Sequence, residues 1–376
     1  MARSAHAYVR GRTAKFYAWL EKSGVSLPKG PSVWICGDCH VGNPGPTASA
    51  KGRVAVQIRD LDQTVIGNPA HDIVRLSLSL ASAGRSADLS GIVTAHMLEA
   101  VISGYEDALV ADHTKKAHRP HRPRQIQALL GQSVRRRWRH LARERLKDVE
   151  PSTPPGRKFW PPTEDERAAV RTLIKGDEVR RVLTRLTDRD DDESIHLVHL
   201  AYWVKGCSSL GRLRFAALVG FGKNNASGYC LVDIKERVAP AAPRDPKMPV
   251  MDNAARVVAG ARALSPNLGQ RMFAASLLDK PVIVRELMPQ DLKIEIENLK
   301  ETDALRLAQY LGAVVGRAHG RQMSERAKHA WHKELQRHRP KTLDAPNWLW
   351  TSVVDLMGIH EAAYLEHCRR IIASAA

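Results

Sequence analysis

The first residues able to do chemistry stand in the segment Gly37-Asp38-Cys39-His40-Val41-Gly42-Asn43. It follows the apolar run Val33-Trp34-Ile35, so Asp38 is expected just past a strand, where a carboxylate can be presented to an incoming hydroxyl. Asn43 can turn back and offer its side-chain oxygen to a metal. A second apolar run, Val54-Ala55-Val56-Gln57-Ile58, leads into Arg59-Asp60-Leu61-Asp62. If the strand persists, alternation puts Asp60 and Asp62 on one face. Two like charges so placed are costly unless they share a cation, which points to a metal. Phosphoryl transfer to a hydroxyl asks for these types: a carboxylate near the acceptor, further oxygen ligands for Mg²⁺, and cations over the nucleotide phosphates.

The elements that must position these residues can be read from periodicity. Val33–Ile35 and Val54–Ile58 read as buried strands flanking a turn-rich loop. Between Ala70 and Ala111, Ile73, Leu76 and Leu80, then Ile92, Ala95, Leu98 and Ile102, recur at helical spacing, predicting two or more amphipathic helices. Residues 114–147 are strongly basic, culminating in Arg135-Arg136-Arg137-Trp138-Arg139, and residues 151–162 hold five prolines, which predicts a surface excursion or a lobe boundary. Beyond it, Gly206, Gly211, Gly220, Gly222 and Gly228 punctuate apolar runs. These predict an antiparallel meander over Tyr202–Lys205, Leu213–Val219 and Tyr229–Glu236. A helix over Asn253–Leu264, a strand over Val282–Leu287 and a helical stripe between Asp303 and Met323 complete the pattern, without internal repeat.

Composition sets the class. A chain of 376 residues with 43% hydrophobic and 26% charged residues can build a large core. Its 58 Lys and Arg against 40 Asp and Glu give a net charge of +18, which draws anions: nucleotides, anionic small molecules or a nucleic-acid-derived acceptor. No secretory or membrane-spanning segment is readable, so a cytoplasmic location and no membrane partner are expected. The five cysteines are too scattered for a disulfide framework, and Cys36 and Cys39 read as small packing residues before they read as a redox pair.

Gly37-Asp38-x-His40-x-x-Asn43, Ile58-x-Asp60-x-Asp62 and Asn68-Pro69-Ala70-x-Asp72 together resemble the catalytic loop, metal aspartate and downstream structural aspartate of aminoglycoside and choline phosphotransferases. From Tyr8-Val9-Arg10-Gly11 through Arg317-Ala318-His319 the chain also looks like the bacterial family called domain of unknown function 2252. The first resemblance implies Asp38 as catalytic base, with His40 and Asp72 bracing its loop. It implies Asn43 and Asp60 as Mg²⁺ ligands and Asp62 as an auxiliary one. Kinases place the nucleotide-binding β lobe before the catalytic loop, yet only about 36 residues precede it here. The meander downstream is the candidate lobe. Its Lys205-Gly206-Cys207-Ser208-Ser209-Leu210-Gly211 hairpin has the small residues, Gly206, Ser208, Ser209 and Gly211, that let backbone N–H groups approach phosphates. Lys235 then stands where a third-strand lysine reaches the phosphates, and Arg285 lies on the strand leading to the adenine hinge.

The expectation is therefore an α+β, protein-kinase-like, two-lobed fold that is circularly permuted. It has a catalytic and helical part over 1–195, a β-rich nucleotide lobe over 196–298, and helices over 299–376 returning to the catalytic part. ATP and Mg²⁺ are the implied cofactors. One piece departs from the pattern: Asn253–Leu264 carries no glutamate to pair with Lys235. That gap and the positive charge keep two alternatives open, a kinase-like pseudoenzyme or nucleic-acid-binding regulator, and an enzyme that transfers AMP. The cluster from Arg135 to Lys147 around Trp138 could grip a nucleic-acid backbone or form a solvated helix face.

Overall fold

The computed structural model describes residues 8–9, 11–111, 122–135, 159–184, 193–204, 211–223, 228–246, 248–288, 300–337, 339 and 345–375. They form a mixture of helices and antiparallel sheets.

Helix α1 (Thr13–Lys22) precedes two small ribbons. Strand β1 (Val33–Ile35) pairs antiparallel with β4 (Val65–Gly67), Trp34 opposite Ile66. Between them β2 (Pro44–Ala48) pairs with β3 (Val54–Ile58), Pro46 opposite Val56. Both strands expected from sequence thus form, but they are not partners; each pairs with a segment that reads as loop. Pro44 and Pro46 hide β2, because proline cannot donate to a ladder. The strand survives because the two prolines share one parity, so the missing N–H groups are those that would face away from β3.

Helices α2 (Ala70–Ser86) and α3 (Gly91–Val110) follow, the latter capped by the Ser90 hydroxyl on Val93 N. Helix α2 is buried from Ala70 to Gly84 apart from His71, enclosed by its neighbours. After α4 (Arg124–Arg135) the chain reaches a six-stranded antiparallel sheet. Its strands are β5 (Phe159–Trp160), β6 (Ile195–Trp203), β7 (Arg214–Phe221), β8 (Gly228–Glu236), β9 (Met272–Leu277) and β10 (Lys280–Leu287), in the order β5-β6-β7-β8-β10-β9. Helix α7 (Asn253–Leu264) and the short α8 (Pro266–Gly269) lie between β8 and β9. Helices α5 (Glu164–Lys175) and α6 (Asp177–Leu183) share a core with one sheet face: Val170, Ile174, Val179 and Leu183 join Phe215, Val219, Val232 and Val284. The sheet's packing unit therefore takes in residues 159–183, ahead of the position 196 expected from sequence. On the other face Phe159 stacks on Trp203 beside Leu231 and Leu287.

Two strand expectations need correction. Strand β6 starts at Ile195 instead of Tyr202, because a bulge between Leu197 and His199 breaks the alternation. Strand β9 goes unseen because its hairpin turns on Leu278 and Asp279, both at positive φ, without the glycine or asparagine that usually marks such a turn.

Three helices close the chain: α9 (Glu301–Gly320), α10 (Glu325–Arg337) and α11 (Asn347–Ala375). Helix α9 presses directly on α3. A Cβ on Gly104 would stand 2.8 Å from the Gln309 carbonyl carbon, and one on Gly312 2.9 Å from that of Val101. Backbone meets backbone, which fixes the depth at which α9 delivers its last turn beneath the segment carrying Asp38.

Candidate active site

The loop after β1 is held from below. Asp72, in the first turn of α2, accepts from Cys36 N at 2.7 Å and Gly37 N at 2.9 Å. Its Oδ2 also meets His319 Nε2 at 3.1 Å, from the end of α9. A carboxylate only accepts, so Nε2 carries the proton, and Nδ1 accepts from the Tyr105 hydroxyl at 3.0 Å. Tyr105 in turn accepts from the Trp331 indole at 3.0 Å. All four side chains are buried. Tyr17 donates to Gly37 O at 2.8 Å, and Gly37 itself has φ +75°. A Cβ there would overlap the Gln63 carbonyl, so this loop lies flat against the segment carrying Asp60 and Asp62.

Asn43 rivets the two segments together. Its Nδ2 donates to Asp38 O at 3.2 Å and Asp60 O at 2.8 Å, and its Oδ1 accepts from Arg59 N at 3.1 Å and Asp60 N at 2.8 Å. Two donors occupy the amide oxygen, so the side chain acts as a bracket in this arrangement. His40 is buried, its Nδ1 accepting from Gly42 N at 3.1 Å. Asp38 receives Arg75 on Oδ1, through Nε at 3.1 Å and the terminal nitrogen at 2.9 Å. Its side chain keeps 21% exposure, and no described residue takes Oδ2. Asp60 is exposed; partial desolvation raises its pKa, but the charges of Lys235, Arg237, His40 and Arg285 outweigh this and hold it below the usual carboxylate range. It is ionised and open.

Asp62 reaches the sheet. Lys235 Nζ and an Arg237 guanidinium nitrogen both donate to its carboxylate, 173 and 175 residues away in sequence. Asp233, Lys235 and Arg237 alternate along and just past β8, so all three face the same way. Asp233 is buried between Arg214, at 3.0 and 2.9 Å, and Arg285, at 3.2 Å. Burial lowers the Lys235 pKa, against the pull of Asp60, and burial likewise lowers that of Arg237 to about 9. Helix α7 contributes Arg256, which donates to the backbone oxygens of Asp62 at 3.0 Å, Val238 at 3.1 Å and Thr64. Five cations (Arg214, Lys235, Arg237, Arg256 and Arg285) thus gather around Asp60, Asp62 and Asp233, leaving an excess of positive charge where the two parts of the chain meet.

Of the residues singled out from sequence, Asp38, His40, Asn43, Asp60 and Asp62 are brought together, and Lys235 and Arg285 approach them from the sheet. Lys235 meets Asp62 in place of an open position opposite Asp38. Gly211 is exposed at φ +71° ahead of β7, while Gly206, Ser208 and Ser209 lie outside the described residues, as does most of the basic segment 114–147. Arg75, Arg237, Arg256 and the Arg214–Asp233 pair were not legible as site residues. The available signal was a charge inside an apolar run: Arg75 within the α2 stripe, Asp233 in β8. Cys36 and Cys39 are buried free thiols. Burial and the contact with Cys39 raise the Cys36 pKa; for Cys39 the bond from Cys36 lowers it but burial prevails. Neither is a thiolate, which suits packing.

Among the described residues no three His, Cys, Asp or Glu side chains converge as a metal cage, and no helix is long and apolar enough to cross a membrane. Residues 1–370 match the family described as an uncharacterized protein conserved in bacteria (DUF2252), and the chain belongs to that family. No curated protein and no solved structure gives a match.

Proposed function

We propose that the chain is an ATP- and Mg²⁺-dependent phosphotransferase of protein-kinase-like architecture, with catalytic segment and nucleotide lobe in permuted order. The observation that carries this reading is the meeting of Lys235 with Asp62, beside the open carboxylate of Asp60 and the loop of Asp38. The strand order supports it too. Lys235 lies on the third strand of the meander β6-β7-β8, and a helix, α7, follows before the last hairpin, which is the place of the phosphate-contacting lysine and its companion helix in protein kinases. The companion glutamate is replaced: Lys235 pairs with Asp62, and α7 supplies Arg256 to the backbone of that same segment.

The donor set fits the implied metal. Mg²⁺ keeps several waters and takes one or two carboxylates together with substrate phosphates, so it needs no all-protein cage. Asp60, ionised and exposed, and Asp62 would hold it, with Asn43 fixing the Asp60 backbone. When bound, the ion would neutralise charge on the phosphates. Lys235 and Arg237, released from Asp62 in part, would bind the phosphates, and Arg285 would add its charge. Asp38 would orient the acceptor hydroxyl through Oδ2, while Arg75 on Oδ1 holds the carboxylate in place. As the acceptor oxygen attacks the γ-phosphorus, its bond to the β-bridging oxygen breaks, ADP leaves, and the hydroxyl proton passes to Asp38.

The test is thermal unfolding of the purified protein with ATP and Mg²⁺, together and singly, beside Asp60→Ala. A Mg²⁺-dependent rise in the parent that disappears in the variant is expected; no Mg²⁺-dependent shift in the parent would sink the proposal. Mass spectrometry of a modified acceptor separates phosphate from AMP transfer. Binding of nucleic acid that falls steeply with salt, without ATP turnover, would select the regulatory reading instead.

A further inference from the structure

Around Arg75, which holds Asp38, stands a second group of cations. Arg75 sits inside α2 at 1% side-chain exposure. It spends Nε and one terminal nitrogen on Asp38 and, through the latter, Val9 O at 3.1 Å, leaving its other terminal nitrogen without a hydrogen-bond partner among the described residues. His360, on α11, is 1% exposed and neither ring nitrogen has a hydrogen-bond partner among them. Buried polar groups are nearly always satisfied, and an imidazole missing both bonds needs a reason. The elements that carry these groups meet at Tyr8: its ring lies 5.8 Å from Tyr364 and 5.4 Å from His367 on α11, Arg12 lies over it at 5.0 Å, and Arg75 reaches the carbonyl of the next residue, Val9. Burial, with the charges of Arg75, Lys15 and Arg12, drives the His360 pKa down to about 4. Two acidic groups of α11 are already engaged: Arg85 of α2 holds Glu361 at 3.0 Å, and Asp355 accepts from the Trp19 indole at 2.5 Å. Asp38 is the carboxylate that Arg75 holds.

We propose that Arg75, His360, Arg12 and Lys15 form an oxyanion subsite beside Asp38, which takes a phosphate or carboxylate carried by the acceptor. This rests on the phosphotransferase reading for the word acceptor, and on the buried, unpartnered nitrogens of Arg75 and His360 for the oxyanion. An oxyanion supplies what the cluster lacks: lone pairs for the free Arg75 nitrogen and for a protonated His360, and charge opposite three fixed cations. Arg12 and Lys15 are half-buried and can meet it at the rim. Because Arg75 touches Asp38 directly, a ligand held there would place its remainder within reach of the proposed base. The acceptor is thereby defined as an anionic hydroxy compound, such as a sugar phosphate or a hydroxy acid, in line with the net charge of +18.

The experiment follows the histidine ring resonances of the full chain by NMR while inorganic phosphate, and separately acetate, is added without nucleotide. The His360 signals, assigned with His360→Asn, are expected to move saturably with one or both anions, and the His360 pKa to rise by about one unit or more as an anion favours the charged ring. Acetate or phosphate as the stronger ligand decides between a carboxylate and a phosphomonoester. The double variant Arg12→Gln with Lys15→Gln, altered only at half-buried positions, should weaken that binding about tenfold with the fold retained. Unmoved His360 resonances with both anions would overturn the proposal. So would anion binding that Lys235→Met removes and the Arg12 and Lys15 changes leave intact. Since no nucleotide is present, failure here is separable from failure to bind ATP.

Discussion

Replacing Gly37 by alanine tests the close approach on which the site depends, and Gly52→Ala supplies its control. Both glycines are left-handed, at φ +75° and +70°. A Cβ on Gly52 would meet nothing within 4 Å, whereas one on Gly37 would stand 2.8 Å from the Gln63 carbonyl carbon, nearer still to its oxygen, and 3.2 Å from its Cβ. The backbone strain common to both is roughly 1–2 kcal/mol. To restore ordinary contact the Gly37 loop must lift away from Gln63 by roughly half an ångström or more, given the steepness of packing repulsion. That movement pulls Cys36 N and Gly37 N off the Asp72 carboxylate, and hydrogen bonds to a charged group contribute about 1.5–3 kcal/mol each. Gly37→Ala should therefore cost about 3–5 kcal/mol against about 1–2 kcal/mol for Gly52→Ala. Urea unfolding with a common slope reads the difference as a shift in midpoint. Equal midpoints for the two variants would refute the contact between the Asp38 loop and the Asp60–Gln63 segment.

Asp62→Asn leaves Lys235 and Arg237 buried without their anion and should destabilise by about 2–4 kcal/mol; in a double-mutant cycle with Lys235→Met the effects should fall short of additive by about 1 kcal/mol or more, and strict additivity would exclude the pair. Glu106 is 4% exposed, and burial, only partly offset by Arg339 at 2.5 Å, raises its pKa from 4.5 to about 7. Its folded-state pKa lies above the unfolded value, so the folded chain holds the extra proton between those limits. Stability should fall by roughly 3 kcal/mol as pH rises from 4.5 to 7 on this account, and Glu106→Gln should flatten that slope in pH-dependent urea curves. Gly312→Ala puts a methyl group against the Val101 backbone and should cost about 2–4 kcal/mol through the α3–α9 contact; a neutral result by thermal unfolding would mean the helices stand further apart.

The part of the site legible in sequence is the part built by neighbours in sequence. Asp38, His40 and Asn43 share one loop, Asp60 and Asp62 one segment, and the brace from Asp72 spans a single ribbon and a helix start. Periodicity likewise gave α7 its limits, Asn253–Leu264, because helix α7 buries one stripe and caps on Asp252, whose carboxylate accepts from Ala255 N at 2.8 Å. What could not be read is what requires the folded distance. The expectation that Asn43 offers an oxygen to a metal rests on residue type; that two backbone N–H groups already occupy this oxygen depends on where β3 ends relative to the loop. That Lys235 finds Asp62, and that Arg256 stands where a glutamate is expected, depends on how the sheet docks. Strand β2 was hidden by its prolines and β9 by a turn lacking glycine, two cases where tertiary pairing overrides local preference.

The buried chain Asp72, His319, Tyr105, Trp331 bears on the proposed permutation. The loop carrying Asp38 is supported by Tyr17 of α1 and, from far along the chain, by α9 and α10, which bring His319 and Trp331 under it. If the proposed permutation holds, an unpermuted order would lead from the helix ending at His319 directly into the Asp38 loop it supports, and the contact would be local. Here the same contact spans 247 residues from Asp72 to His319, and it is kept by packing: Gly104 and Gly312 let α3 and α9 touch along their backbones. Cutting the chain elsewhere changes which contacts are local without changing which are made, and the Asp72–His319 bond is the one that must survive the cut, because Asp38 is aimed only as well as the backbone of Cys36 and Gly37 is held.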